Sequence, residues 1–199
     1  MKICSFFFRF GVFSSLSLYG LAAQNAHATD AINMIPIHQV AHSTVINKSC
    51  ADVWDVVSGF DGISNWYSGF SASVHKSGPM NQVGAIRELT RSGSGVIFDE
   101  KLILFDPSGY TLAYSHVKNG PVKETVNQVR LIDLNSRQQC LATWGTTMRL
   151  KPAQAKDAEN LKGRFLKAFE SVLTDLKNKV EQWTAFKISL AFWFANKGP

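Results

Sequence analysis

The sequence predicts an α+β domain: a curved antiparallel sheet of seven strands wrapped around a long C-terminal helix, with two short helices after the first strand. Three observations carry that expectation. Between residues 70 and 151, apolar and polar residues alternate with period two, in runs separated by turn-forming stretches. After Pro152 the period changes to 3.6 and one apolar stripe runs on for about eight turns. One more alternating run, followed by helical signals, precedes the main block.

The first strand is read in "QVAHSTVINK" (39–48). "SCADVWDVVSGF" then opens on Ser49 as a helix cap, with Asp52 three residues on, an acidic first turn that resembles a capping box. Val53, Val56, Val57 and Phe60 follow at helical spacing, and Gly59 with the "FDG" turn stops the helix. "ISNWY" reads as a second, shorter helical turn. Strands are expected at about 71–77, 84–91, 96–105, 110–118, 123–134 and 139–151, joined by "SGPMN", "SGSG", "DPSG", "KNGP" and "NSRQ". In the last helix, roughly 155–184, Ala158, Leu161, Phe165, Phe169, Val172, Leu173, Leu176, Val180 and Trp183 share a face. About 30 helical residues reach ~45 Å, enough to cross a small domain. A meander with one apolar concave face needs a cover, the helix supplies it, and the space left between them is a cavity.

At 199 residues, with 45% hydrophobic and 18% charged side chains, the chain reads as one globular domain. The folded domain is placed at 39–184. Lys2 and Arg9 flank the start of an apolar run from Phe10 to Ala23, and "AHA" at 26–28 fits a small-x-small cleavage site. Residues 1–28 therefore read as a secretory signal peptide cleaved after Ala28, and the mature protein is expected in the periplasm or outside the cell. The alternative, an uncleaved anchor, suffers from an apolar run that is short for a bilayer span. The chain carries a formal charge of +6. Residues 1–28 hold two of the Lys/Arg and none of the Asp/Glu, so +4 remains. Those charges form no stripe, and no nucleic-acid partner is expected. The tail 185–199, "AFKISLAFWFANKGP", is more apolar than a helix end requires. It is expected to pack back on the domain, plug the cavity mouth, or make peripheral membrane contact.

The stretch "VGAIRELTRSGSGVIFDEKLILFD" (83–106) poses the sharpest question, because charges interrupt both of its apolar runs. If "SGSG" closes the hairpin, Arg91 pairs with Val96, Leu89 with Phe98, Arg87 with Glu100 and Ala85 with Leu102. Cross-strand partners share a face, so Leu89, Phe98 and Leu102 gather beside an Arg87–Glu100 ion pair that points inward. Burying such a pair adds little to stability, which leaves ligand orientation as one role and a structural pair as the other. A one-residue slip would turn both charges to water. In "TLAYSHV", period two puts Tyr114 and His116 on one face: Tyr114 as a wall aromatic with a polar tip, His116 as a wall group or a candidate acid–base residue. Gln128 and Trp144 are expected to point inward from later strands, and Phe165 and Phe169 to face them from the helix. Trp54 and Trp66 are read as core. The five histidines are read as no metal site, and no serine-hydrolase elbow, phosphate loop or dinucleotide fingerprint occurs. No metal, no cofactor and no specific catalytic residue is expected.

The order of elements, with "INKSCADVWDVVSGFDGISNWYSGFSASVHKSGPMNQVGAIREL", resembles the START/Bet v 1-like (SRPBCC) superfamily over about residues 39–182, and within it the bacterial polyketide cyclase/dehydrase and lipid transport branch. "VWDVVSGFDGISNWYSGF", "VGAIREL" and "LAYSHVKNGPV" are also similar to the plant abscisic acid receptors. The resemblance implies a helix-grip fold with a hydrophobic pocket opening near the strand-connecting loops. Where the receptors have a gate, this chain has "RSGSG" (91–95) without their Leu-Pro pair. The latch position, "VKNGPVKE" (117–124), lacks their His-Arg-Leu, and their ligand-binding lysine falls on Ala72. These departures argue against sensing that hormone. In the implied fold the first and last strands run antiparallel, which brings Cys50 and Cys140 to the same end. A disulfide is expected there, with two buried thiols as the alternative. The implied function is an exported binder or carrier of a hydrophobic small molecule or lipid. The alternatives are a cyclase/aromatase-like enzyme acting on a carbonyl-containing substrate, with Arg87 polarising the carbonyl and His116 or Tyr114 moving a proton, and an envelope interaction module acting through its apolar tail.

Overall fold

Seven strands form one antiparallel sheet in the order β1-β7-β6-β5-β4-β3-β2. They are β1 (Ile37–Ile46), β2 (Phe70–Ser77), β3 (Ile86–Arg91), β4 (Ile97–Asp106), β5 (Thr111–Lys118), β6 (Glu124–Leu134) and β7 (Gln139–Arg149). The computed structural model describes residues 36–195, with side chains as far as Gln182. The expected signal peptide, residues 1–28, lies outside the described residues, as do the side chains of the tail 185–199.

β2 to β7 form a meander, and the crossing from β1 to β2 runs through helix α1 (Cys50–Val57) and a 3₁₀ turn (Phe60–Asn65). α1 starts where the sequence places it. The Asp52 amide donates to Ser49 Oγ at 3.1 Å, and the Ser49 hydroxyl donates to the Asp52 carboxylate at 2.6 Å. The second helical element is 3₁₀ and begins at Phe60, ahead of the expected "ISNWY". It buries Phe60 and Ile63, and Trp66 lies just past its end.

The sheet curves at register shifts between β2 and β3 and between β4 and β5. Its concave face is buried: Val129 and Leu131 on β6, Ala142, Trp144 and Met148 on β7, Leu89 on β3, Phe98 and Leu102 on β4. The long helix α2 (Ala158–Ala195) lies against this face with Val172, Leu173, Leu176 and Val180 buried. Each such side chain contributes about 1.5–3 kcal/mol by leaving water.

α2 differs from the expected 155–184 at both ends. Pro152 to Asp157 turn as a 3₁₀ segment. Gln154 holds that turn, its carbonyl accepting from the Lys151 amide at 2.9 Å and its amide donating to Pro121 O at 2.8 Å. At the other end the backbone stays helical through Ala195, because no glycine or proline occurs after Gly163 until Gly198.

Cys50 and Cys140 are bonded, with Cα atoms 4.9 Å apart. Cys140 pairs with Ile46, the last residue of β1, and Cys50 starts α1 four residues later, so one bond ties β7 to the β1–α1 corner. Both residues are fully buried.

One expected orientation is overturned. Gln128 points outward to solvent, with Val126 and Arg130 beside it, while Thr125, Asn127, Val129 and Leu131 face in. The alternation is fixed by Val129 and Leu131. Placing Gln128 inside would drive both of them into water.

Candidate functional site

A cavity of about 360 Å³ lies between the concave face and the N-terminal half of α2. Its walls are Phe70, Phe98, Tyr114 and Trp144 from the sheet, Phe165, Phe169 and Val172 from α2, and Ile63 and Tyr67 from the crossing segment. The exposed wall residues Arg91, Pro121 and Arg164 mark its mouth, at the two loops 91–96 and 119–123 and the first turns of α2.

The β3–β4 hairpin has the register expected from its turn, with Arg87 opposite Glu100 and Leu89 opposite Phe98. Arg87 Nε and Nη2 both donate to Glu100 Oε2, at 2.9 and 2.6 Å. Arg87 Nη1 donates to the Phe60 carbonyl, and the guanidinium lies 4.0 Å from the Phe60 ring centre and 5.1 Å from that of Tyr114. Arg87 thus sits behind the wall. Of the pair, only Glu100 borders the cavity. Leu89 and Leu102 are fully buried in the core and do not border it either.

Glu100 uses its second oxygen on His116, with Nε2 at 3.3 Å. The other ring nitrogen, Nδ1, lies 2.6 Å from Thr125 Oγ1, which also accepts from the His116 amide at 3.3 Å. The Thr125 hydroxyl, with one proton and two lone pairs, thus serves both the amide and the ring nitrogen of His116. Burial pushes the His116 pKa down. The Glu100 charge opposes that shift, and Arg87 and Arg91 add to it.

Tyr114 stands beside this pair, and its hydroxyl accepts from Trp144 Nε1 at 3.0 Å. Burial, the larger cause, and the Glu100 charge both raise its pKa, so it stays a neutral phenol at any physiological pH. Next to it on β6, Asn127 is 2% exposed and borders the cavity, and its Nδ2 has no hydrogen-bond acceptor. Residue-by-residue reading missed Asn127 in favour of its neighbour. Counting back by twos from Leu131 and Val129 would have found it.

The mouth is held by a chain of hydrogen bonds that sequence reading also missed. The Ser92 amide donates to Gly69 O at 3.0 Å, and its hydroxyl donates to Ser68 O at 2.7 Å. Ser68 in turn donates from its amide and hydroxyl to Asp175 Oδ2 on α2, at 2.9 and 2.6 Å. The Tyr67 ring folds over Gly69, where a β-carbon would come within 2.2 Å of it, so glycine leaves room for a wall aromatic. These bonds join the 91–95 loop to the helix, while Gln154 joins the 119–123 loop to the start of the same helix.

A family model described as polyketide cyclase / dehydrase and lipid transport matches residues 38–181. Among solved structures, the Zhui aromatase/cyclase from Streptomyces sp. R1128 is similar with a TM-score of 0.61 at 15% identity, covering 74% of this chain and 95% of its own. Norcoclaurine synthase from Thalictrum flavum, solved with dopamine and hydroxybenzaldehyde, gives 0.62 at 17% identity over 85% and 98%. Ginseng major latex-like protein 151 from Panax ginseng gives 0.59 at 18% identity over 72% and 97%. At these identities the likeness is one of fold. No curated protein matches the chain.

Proposed function

Because the chain belongs to the polyketide cyclase/dehydrase and lipid transport family, we propose that it is an exported carrier of a hydrophobic small molecule or lipid held between sheet and helix. The observation that carries this reading is the cavity of about 360 Å³, walled by aromatic and aliphatic side chains, whose acid–base groups are already engaged with protein partners. Its size lies near the lower end of the range for ligand pockets, roughly 300–1,000 Å³, and suits one ring system or one short chain.

A cyclase-like activity on a carbonyl substrate is the second reading, favoured by the contact between Glu100 and His116 at the cavity wall. The carrier reading is preferred because both ring nitrogens of His116 already face protein groups, Nδ1 at 2.6 Å from Thr125 Oγ1 and Nε2 at 3.3 Å from Glu100 Oε1. A general base would first have to break one of these contacts.

Export is part of the proposal. It rests on the charged, apolar and small-residue pattern of residues 1–28, and a Cys50–Cys140 bond suits an oxidising compartment. N-terminal sequencing of secreted material should start at Thr29. Deleting 185–199 tests membrane contact: release from membranes with ligand binding intact would assign that contact to the tail.

Native mass spectrometry of the purified protein tests the carrier reading. A bound apolar mass, released on denaturation, is expected. A protein that carries nothing and binds no apolar probe overturns it, and turnover that disappears in His116→Gln would establish the enzyme instead.

A further inference from the structure

Two hydrogen-bond donors at the cavity wall have no acceptor among the described residues. Asn127 is buried, and its Nδ2 is unpartnered. The Tyr114 hydroxyl accepts from Trp144 Nε1, but no acceptor takes its own proton. Tyr114 and Asn127 are direct partners in the β5–β6 register, so their side chains leave the same face, with β-carbons about 4.5–5.5 Å apart. Both border the cavity.

An unsatisfied buried amide donor costs about 1–3 kcal/mol. A half-turn of the terminal torsion exchanges the amide nitrogen and oxygen in nearly the same space, so a ligand acceptor that bonds Nδ2 decides which of the two faces the cavity. Neither donor is bonded to the nearby carboxylate of Glu100, which takes two nitrogens of Arg87 on Oε2. Nor does this wall call for an ionised ligand. The Arg87 charge cancels that of Glu100, and the cations Arg91 and Arg164 stand out at the exposed mouth.

We infer that Tyr114 and Asn127 form a two-donor subsite for one oxygen with two lone pairs, and that the ligand is therefore a neutral apolar molecule bearing a carbonyl group. This rests on the carrier reading and narrows it. A carbonyl oxygen accepts from both donors at once and brings no proton needing an acceptor. A pure hydrocarbon leaves both donors bare, and a carboxylate would sit beside Glu100 without a cation of its own.

The test uses two probes of one shape, 2-acetylnaphthalene and 2-isopropenylnaphthalene, which differ in C=O against C=CH₂. Their affinities for the purified full chain are measured by calorimetry, and the ketone-to-alkene ratio is compared between wild type, Asn127→Leu and Tyr114→Phe. Taking the ratio against wild type removes the difference in hydration of the two probes. The ratio should fall about tenfold in each variant, one lost hydrogen bond with its partner left buried. A ratio that stays at the wild-type value in the variants, with both probes still bound, overturns the subsite and leaves the carrier standing. If neither probe binds wild type, the subsite and the carrier reading fall together. Should Asn127→Leu fail to fold, Tyr114→Phe alone decides the matter.

Discussion

Arg87 places two nitrogens on a single oxygen of Glu100, at 2.9 and 2.6 Å, in a site where both residues are only 3% exposed. The geometry explains why a strand with an apolar inward face tolerates charge. Arg87 is capped by the Phe60 carbonyl and covered by two aromatic rings, and Glu100 takes both Arg87 nitrogens on one oxygen while His116 Nε2 stands 3.3 Å from the other. Removing one partner strands the other. Arg87→Met should cost about 3–5 kcal/mol, and the double variant Arg87→Met/Glu100→Gln should regain much of it, because the uncompensated charge is gone. Urea unfolding of both proteins checks this. Equal loss in the single and double variants would show that the pair contributes through shape alone.

The depressed pKa of His116 has a consequence for acid stability. A histidine whose folded pKa lies below its ordinary value of 6.5 binds its proton more readily when unfolded. Above that value both states are neutral and the site adds no pH dependence. As pH falls through 6.5 the unfolded state takes up the proton first, and stability declines until the folded pKa is reached. Unfolding free energies measured between about pH 8 and pH 5 should therefore drop on the acid side. The drop should be shallower in His116→Gln, by up to ~1.4 kcal/mol per pH unit. An unchanged slope would remove His116 as its source.

The bond between Cys50 and Cys140 closes a separation of 90 residues. In the chain-entropy account a loop of this size stabilises by about 4–5 kcal/mol. Cys50→Ala/Cys140→Ala, or the reduced protein, should show a melting temperature lower by many degrees. Mass spectrometry without reductant should find both thiols blocked. Two free thiols in the native protein would refute the bond.

Much of this arrangement was legible in the sequence, for reasons that differ by element. The hairpin register followed from "RSGSG", since a glycine-serine turn fixes which residues lie opposite, and Arg87, Glu100, Leu89 and Phe98 fell into place from it. The apolar stripe of α2 gave its packing face directly, from Leu161 to Val180. Gln128 went wrong because period two fixes alternation but not phase, and in "TVNQV" either polar residue can be the inward one until Val129 is counted together with Leu131. The mouth was out of reach. Ser92, Ser68 and Asp175 are far apart in sequence, each is a commonplace surface residue, and only the tertiary fold joins them. The position of Arg87 behind the wall likewise depends on the Phe60 carbonyl, supplied by a different element.

That chain of bonds at the mouth sets the last expectation. Asp175 takes both the amide and the hydroxyl of Ser68, and Ser68 O takes the Ser92 hydroxyl, so the helix, the crossing segment and the 91–95 loop are fixed in series. Asp175→Ala removes the anchor and leaves two donors of Ser68 to water, at a stability cost of roughly 1–3 kcal/mol for bonds to a charged group. Ser92→Ala removes one link and should cost less, ~0.5–1.5 kcal/mol. None of Asp175, Ser68 or the Ser92 hydroxyl contacts the acid–base residues Glu100 and His116, so neither change alters the chemistry of the deep wall. Release of a bound apolar probe should therefore quicken several-fold in Asp175→Ala and less in Ser92→Ala, as stopped-flow fluorescence would record. Equilibrium preference between probes should stay the same. Equal release rates in all three proteins would mean that the ligand leaves by another route, between the 119–123 loop and the first turns of α2, where Gln154 donates to Pro121 O.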